Sequence, residues 1–124
     1  MLENKDKAVA YSMPGGETSG MARHRPIDMA HLARQTMGDR ALEQEVLGMF
    51  VNQSRLVQDQ IAHAGPEECQ RLAHGLRGAA AGVGAFAIAD CASEIEADPR
   101  DAQAKRKLAK LIEEARDFVA AICR

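Results

Sequence analysis

His74 is the residue of this chain best suited to chemistry. It stands in the run Arg71-Leu72-Ala73-His74-Gly75-Leu76-Arg77-Gly78-Ala79-Ala80-Ala81-Gly82-Val83-Gly84-Ala85. A helix turns about 100° per residue, so with His74 at zero, Leu72, Leu76, Ala79 and Val83 fall at roughly 140–200°. They form an apolar stripe opposite the ring. Gln70, Arg71, Arg77, Gly78 and Ala81 fall within about 60° of it. The imidazole is therefore expected to point away from the core, offering one nitrogen lone pair as nucleophile or base. Arg77, three residues on, is its helical neighbour. A guanidinium there can neutralise a phosphoryl group through two parallel hydrogen bonds. Taken alone, Arg77 is a solvated charge; beside an exposed histidine and a glycine it becomes a candidate anion partner. Gly78, four residues on, costs about 0.5–1 kcal/mol relative to Ala. It reads as a clearance for another protein's active site, with close helix packing as the competing reading. Packing is the preferred reading of Gly82, and Gly84 reads as a C-cap or tight turn. No role is evident for Gly75.

Such a face needs a rigid helix, and the chain supplies the signals for one. From Ile27 onward the apolar residues recur at steps of three and four, with no alternating strand pattern. A short helix is expected over Asp28–Thr36. Asp39 then caps a long one carrying Leu42, Val46, Met49, Phe50, Leu56, Val57 and Ile61. Gly65-Pro66 starts the His74 helix, with Glu67 and Glu68 favourable at its N-terminus. A fourth helix follows over Ala85–Ala97, with Phe86, Ala89, Ala92 and Ile95 inward. Asp98-Pro99 is read as cap and first position of the last, which uses Leu108, Leu111, Ile112, Ala115, Phe118, Val119 and Ile122. Short connections between four long helices specify an all-α, antiparallel up-and-down four-helix bundle, with the short additional N-terminal helix over one end. Residues 1–26, broken by Pro14-Gly15-Gly16, Ser19-Gly20 and Pro26, are expected to be a flexible tail, and residues 27–124 the bundle domain.

Composition narrows the function classes. At 124 residues there is room for one domain, with no Trp, one Tyr and three Phe to fill its core. Sixteen Lys+Arg against eighteen Asp+Glu leave a charge of −2, which provides no footprint for nucleic acid or an anionic membrane. No apolar run approaches the ~20 residues of a membrane span, and the charged start does not suit a signal peptide, so a cytoplasmic location is expected. Cys69, Cys91 and Cys123 are odd in number and form no CxxC pair, so they read as reduced core or half-buried residues. His24 falls in the tail, while His31 and His63 are expected on polar helix surfaces; no two histidines have the i, i+4 spacing of a metal site.

His74-Gly75-Leu76-Arg77-Gly78, then Ala79-Ala80, then Gly84-Ala85, resembles the signature of histidine-containing phosphotransfer (HPt) domains: His-x-Leu-Lys-Gly, two small residues, and Gly-Ala a few positions on. The close resemblance covers Ala73–Glu96. It implies an intermediate of a bacterial two-component phosphorelay, accepting a phosphoryl group from one receiver-domain aspartate and passing it to another. His74 matches the phosphorylated histidine, Arg77 the basic position, Gly78 the small position, and Glu96 the place of a Glu or Gln near the imidazole. A Glu96 carboxylate there could take the hydrogen bond of the ring N–H, fixing the tautomer and leaving Nε2 free; otherwise Glu96 is a surface charge at a helix end. The implied partners are response-regulator receiver domains and a hybrid histidine kinase, meeting the face of Gln70, Arg71, Arg77, Gly78 and Ala81. Mg²⁺ is expected on the receiver. No cofactor is implied for this chain, and with no Walker A loop it is expected to have neither kinase nor ATP-binding activity. Arg77 departs from the commoner Lys but keeps the charge, and Ala79 and Ala80 lack the hydroxyl often found there.

A non-phosphorylated helical adaptor that binds a receiver is the alternative. An enzyme acting on a small molecule is disfavoured, because no Ser, Cys or Asp constellation surrounds His74 and a bundle surface is expected to lack a pocket. A monomer is expected, on the ground that packing the bundle leaves no second apolar face.

Overall fold

A computed structural model of the chain describes residues 25–123, which form helices joined by short turns with no strand among them. In order these are α1 (Met29–Thr36), α2 (Arg40–His63), α3 (Pro66–Val83), α4 (Phe86–Ala97) and α5 (Ala102–Ile122). The tail expected over residues 1–26 lies outside the described residues, apart from Arg25 and Pro26.

Each long helix packs on the next and α5 returns to α2, so α2–α5 close into a bundle; α1 lies against α2 and α3. The centre is aliphatic: Leu47, Ile61, Leu76, Ile88, Ile95, Leu108 and Ile112 are all buried. Cys69 and Cys91 are buried with them and Cys123 is half-buried, all three thiols free. Desolvation pushes the Cys91 thiol up to about 11.

The helix ends follow from local chemistry. Asp28 and Asp39 cap α1 and α2 by accepting from His31 N–H at 3.1 Å and Leu42 N–H at 3.0 Å. Pro66 opens α3 at a position with no N–H to satisfy. Gly84 closes it at φ +88°, its N–H turning back to Ala80 and Ala81 carbonyls. A Cβ on Gly84 would stand 2.8 Å from the Asp28 carbonyl oxygen. The close approach exists because Asp28 N–H donates to the Gly84 carbonyl at 2.9 Å, pinning the start of α1 to the α3–α4 turn.

Four expectations need correction. The last helix does not begin at Pro99. Asp98 Oδ1 instead accepts from Arg100 N–H at 3.2 Å, a turn that holds the chain until Asp101 caps α5 through Ala104 N–H at 3.0 Å. On α2, Leu42, Met49 and Leu56 are exposed, whereas Leu47, Phe50, Val51, Val57 and Ile61 are buried. This helix is apolar on two faces about 100° apart, and the bundle takes the one that also carries Glu43 and Ser54. The exposed face removes the ground for expecting a monomer. On α3 the buried stripe is Cys69, Ala73, Leu76 and Ala80, leaving Ala79 exposed, because the helix leans toward α4. Finally, His31 is half-buried. Its Nε2 lies 3.2 Å from the Gly82 carbonyl oxygen and its ring meets Phe86 edge-on at 5.2 Å, so it clamps α1 to the end of α3.

Candidate functional site

His74 lies midway along α3 with 64% of its side chain exposed. The carboxylate that meets it comes from α4. Because α3 and α4 run antiparallel through the tight Gly84-Ala85 turn, Glu96, near the end of α4, falls level with His74. Glu96 Oε2 stands 2.7 Å from His74 Nδ1. Arg77 reaches over the same pair from one turn along, with Nη1 3.3 Å from Glu96 Oε1 and Nη2 3.3 Å from His74 Nδ1.

These contacts compete for Nδ1, and chemistry decides between them. An ionised carboxylate only accepts, so a 2.7 Å bond to it places a proton on Nδ1. A protonated Nδ1 has no lone pair for the Arg77 donor, so Arg77 is held by its charge opposite Glu96 rather than by the ring. The neutral imidazole then carries its lone pair on Nε2, which has no hydrogen-bond partner among the described residues and faces solvent. Glu96 Oε1 is shielded from water yet makes no hydrogen bond, since Arg77 Nη1 lies within ion-pair range but out of line.

The surroundings keep the approach to the ring low. A Cβ on Gly78 would meet nothing within 4 Å, so no packing inside the chain demands glycine there. The same holds for Gly82, which the packing reading had assigned to a helix contact, and for Gly75. Gln70, one turn before His74, donates from Nε2 to the Glu96 carbonyl oxygen at 2.9 Å. Arg71 pairs with Glu68, and that hydrogen bond lowers the Glu68 carboxyl and raises the guanidinium. Ala81 is half-buried at the far edge of the face.

Sequence reasoning missed what adjoins the face. Between α2 and α3 runs an apolar groove of about 600 Å³ lined by Val46, Met49, Phe50, Leu72, Ala79 and Val83, with Arg71 and Gly75 on its wall. The bundle surface thus has a concavity after all. Arg71 is the one charged side chain in it and His74 is not part of its lining, so it offers apolar contact rather than acid–base chemistry. The exposed residues Leu42, Met49 and Leu56 recur every seven, with Val46 and Gln53 between; that spacing was the available signal.

The arrangement can present one neutral nitrogen nucleophile, stabilise positive charge on its ring, and bring a guanidinium to an incoming anion. A protein-family model described as Hpt domain matches residues 45–122. No curated protein matches the chain. No solved structure matches it either.

Proposed function

The chain belongs to the Hpt domain family, and from that membership we propose that it is a phosphocarrier in which His74 accepts a phosphoryl group from a receiver-domain aspartate and passes it to another. Hpt domains serve phosphotransfer in two-component signalling without kinase activity of their own. The observation that carries the assignment to His74 is the 2.7 Å contact of Nδ1 with Glu96 Oε2 on a side chain that is 64% exposed, since a carboxylate that accepts from Nδ1 leaves the lone pair on Nε2.

In the step, the Nε2 lone pair attacks the phosphorus of the aspartyl phosphate in line. The N–P bond forms as the acyl P–O bond breaks, and that electron pair leaves on the receiver's aspartate carboxylate. The ring, neutral before, becomes a cation that keeps its Nδ1 proton. Glu96 faces that proton and stabilises the charge as it develops, which lowers the barrier to phosphorylation of the ring. Arg77 swings from Glu96 to the phosphoryl oxygens. Mg²⁺ on the receiver neutralises the transferring group. Gly78 leaves room for the receiver's active site, while Arg71, Ala81 and the apolar groove of α2 and α3 supply the docking surface. No helix of the described residues is long and apolar enough to cross a membrane, and a cytoplasmic location accords with receiver partners.

The test is transfer itself. Incubating the chain with phosphorylated receiver domains and Mg²⁺ should give an acid-labile, alkali-stable label that disappears in His74→Gln. Absence of label on the wild type across the receivers of its host refutes the phosphocarrier and leaves the adaptor. A label that survives His74→Gln refutes the site.

A further inference from the structure

We infer that Gln70 is a positioning residue: by holding the main chain of Glu96, it sets the tautomer of His74. The role deepens the phosphocarrier reading and rests on it for its functional consequence, though not for its structural one.

The last carbonyls of a helix have no partner within it. In α4, the Glu94 carbonyl is taken by Asp98 N–H at 3.0 Å. The Glu96 carbonyl would need the N–H of residue 100, but Arg100 N–H is committed to Asp98 Oδ1 at 3.2 Å. Gln70 Nε2 fills the vacancy at 2.9 Å from the neighbouring helix. Gln70 and His74 are four residues apart, so they share one face of α3. That face therefore grips Glu96 twice, once by its backbone oxygen through Gln70 and once by its carboxylate through the imidazole.

The double grip matters because the carboxylate's one other partner, Arg77 Nη1 at 3.3 Å from Oε1, attracts it by charge without an aligned hydrogen bond. Its Oε1 makes no hydrogen bond. Glu96 is also the penultimate residue of α4, where a helix end frays most readily. A drift of about 1 Å would stretch the 2.7 Å bond to Nδ1 beyond hydrogen-bonding range. Released from the carboxylate, a neutral imidazole in water favours its proton on Nε2, the atom that must be bare to attack. Gln70 thus acts through Glu96 on the fraction of His74 that is nucleophilic.

The test reads the ring directly. Nitrogen-15 spectra of the His74 imidazole are recorded in the full chain at about pH 8.5, where an ordinary imidazole is neutral. The wild type should show Nδ1 protonated and Nε2 bare. Gln70→Met, similar in length but without a donor, should move the ring toward the Nε2–H form, and Gln70→Glu should do the same. Arg71→Met, on the same surface, should leave it unchanged. Phosphoryl transfer to the Gln70 variants should slow about two- to tenfold, the worth of one neutral hydrogen bond. Identical ring spectra in wild type and both Gln70 variants overturn the inference, as does a wild-type ring protonated on Nε2. A wild type that takes no label refutes the phosphocarrier, while the ring spectra still decide the role of Gln70.

Discussion

Glu96 is the side chain on which most of the proposed chemistry converges. Glu96→Ala should slow phosphorylation of His74 by about ten- to a hundredfold, the range expected for a hydrogen bond to a charged group, with the fold intact by circular dichroism. Glu96→Gln, whose amide oxygen still accepts, should lose less. Arg77→Ala should shorten the life of the phosphohistidine, seen as faster loss of label after the receiver is removed. Cys91 gives a separate prediction about stability. Its thiol is raised from 9.0 to about 11 by desolvation, so the fold favours the neutral form. That contribution is complete below pH 9 and is lost as pH rises toward 11. The thermal midpoint of the wild type should fall across that window more steeply than that of Cys91→Ala. The residue scale was partly open to sequence reasoning. The outward turn of His74 follows from helical arithmetic, and Glu96 came with the resemblance. The Gln70 bond could not be read, because a side chain meeting a backbone carbonyl of another helix leaves no pattern in residue types.

At the scale of the helices, Gly84, which closes α3, and Gly78 within it should behave oppositely. Gly84→Ala forces a left-handed backbone on alanine and drives its Cβ to 2.8 Å from Asp28 O. It should lower stability by about 1–3 kcal/mol in urea unfolding and loosen α1. Gly78→Ala adds a Cβ into open space and should raise stability by about 0.5–1 kcal/mol while slowing transfer from the receiver. The existence and order of the helices were legible, since their caps and breaks are local. Two details were not. Asp98-Pro99 and Asp101 both suit a helix start, and only the Asp98–Arg100 turn selects the second. On α2 periodicity fits Leu42, Val46, Met49 as well as Leu47, Phe50, Val57, and the choice depends on which face its neighbours cover.

For the whole molecule, the uncovered face of α2 is the principal addition to what composition implied. Met49 is 66% exposed, so Met49→Asp should change the unfolding free energy by less than about 0.5 kcal/mol. If the face docks receivers, the same change should raise the KM for a phosphorylated receiver without altering the maximal rate. Sedimentation at rising concentration would show whether the face also joins two copies.

The bundle presents its proposed acceptor atom, His74 Nε2, on one side. On the proposed function, donor and acceptor receivers must therefore take turns. A spent donor that lingers blocks the acceptor, and an unphosphorylated acceptor in excess blocks the donor. Steady-state transfer should follow ping-pong kinetics, with inhibition at high levels of either receiver, so the relative abundance of the two would set the throughput of the relay.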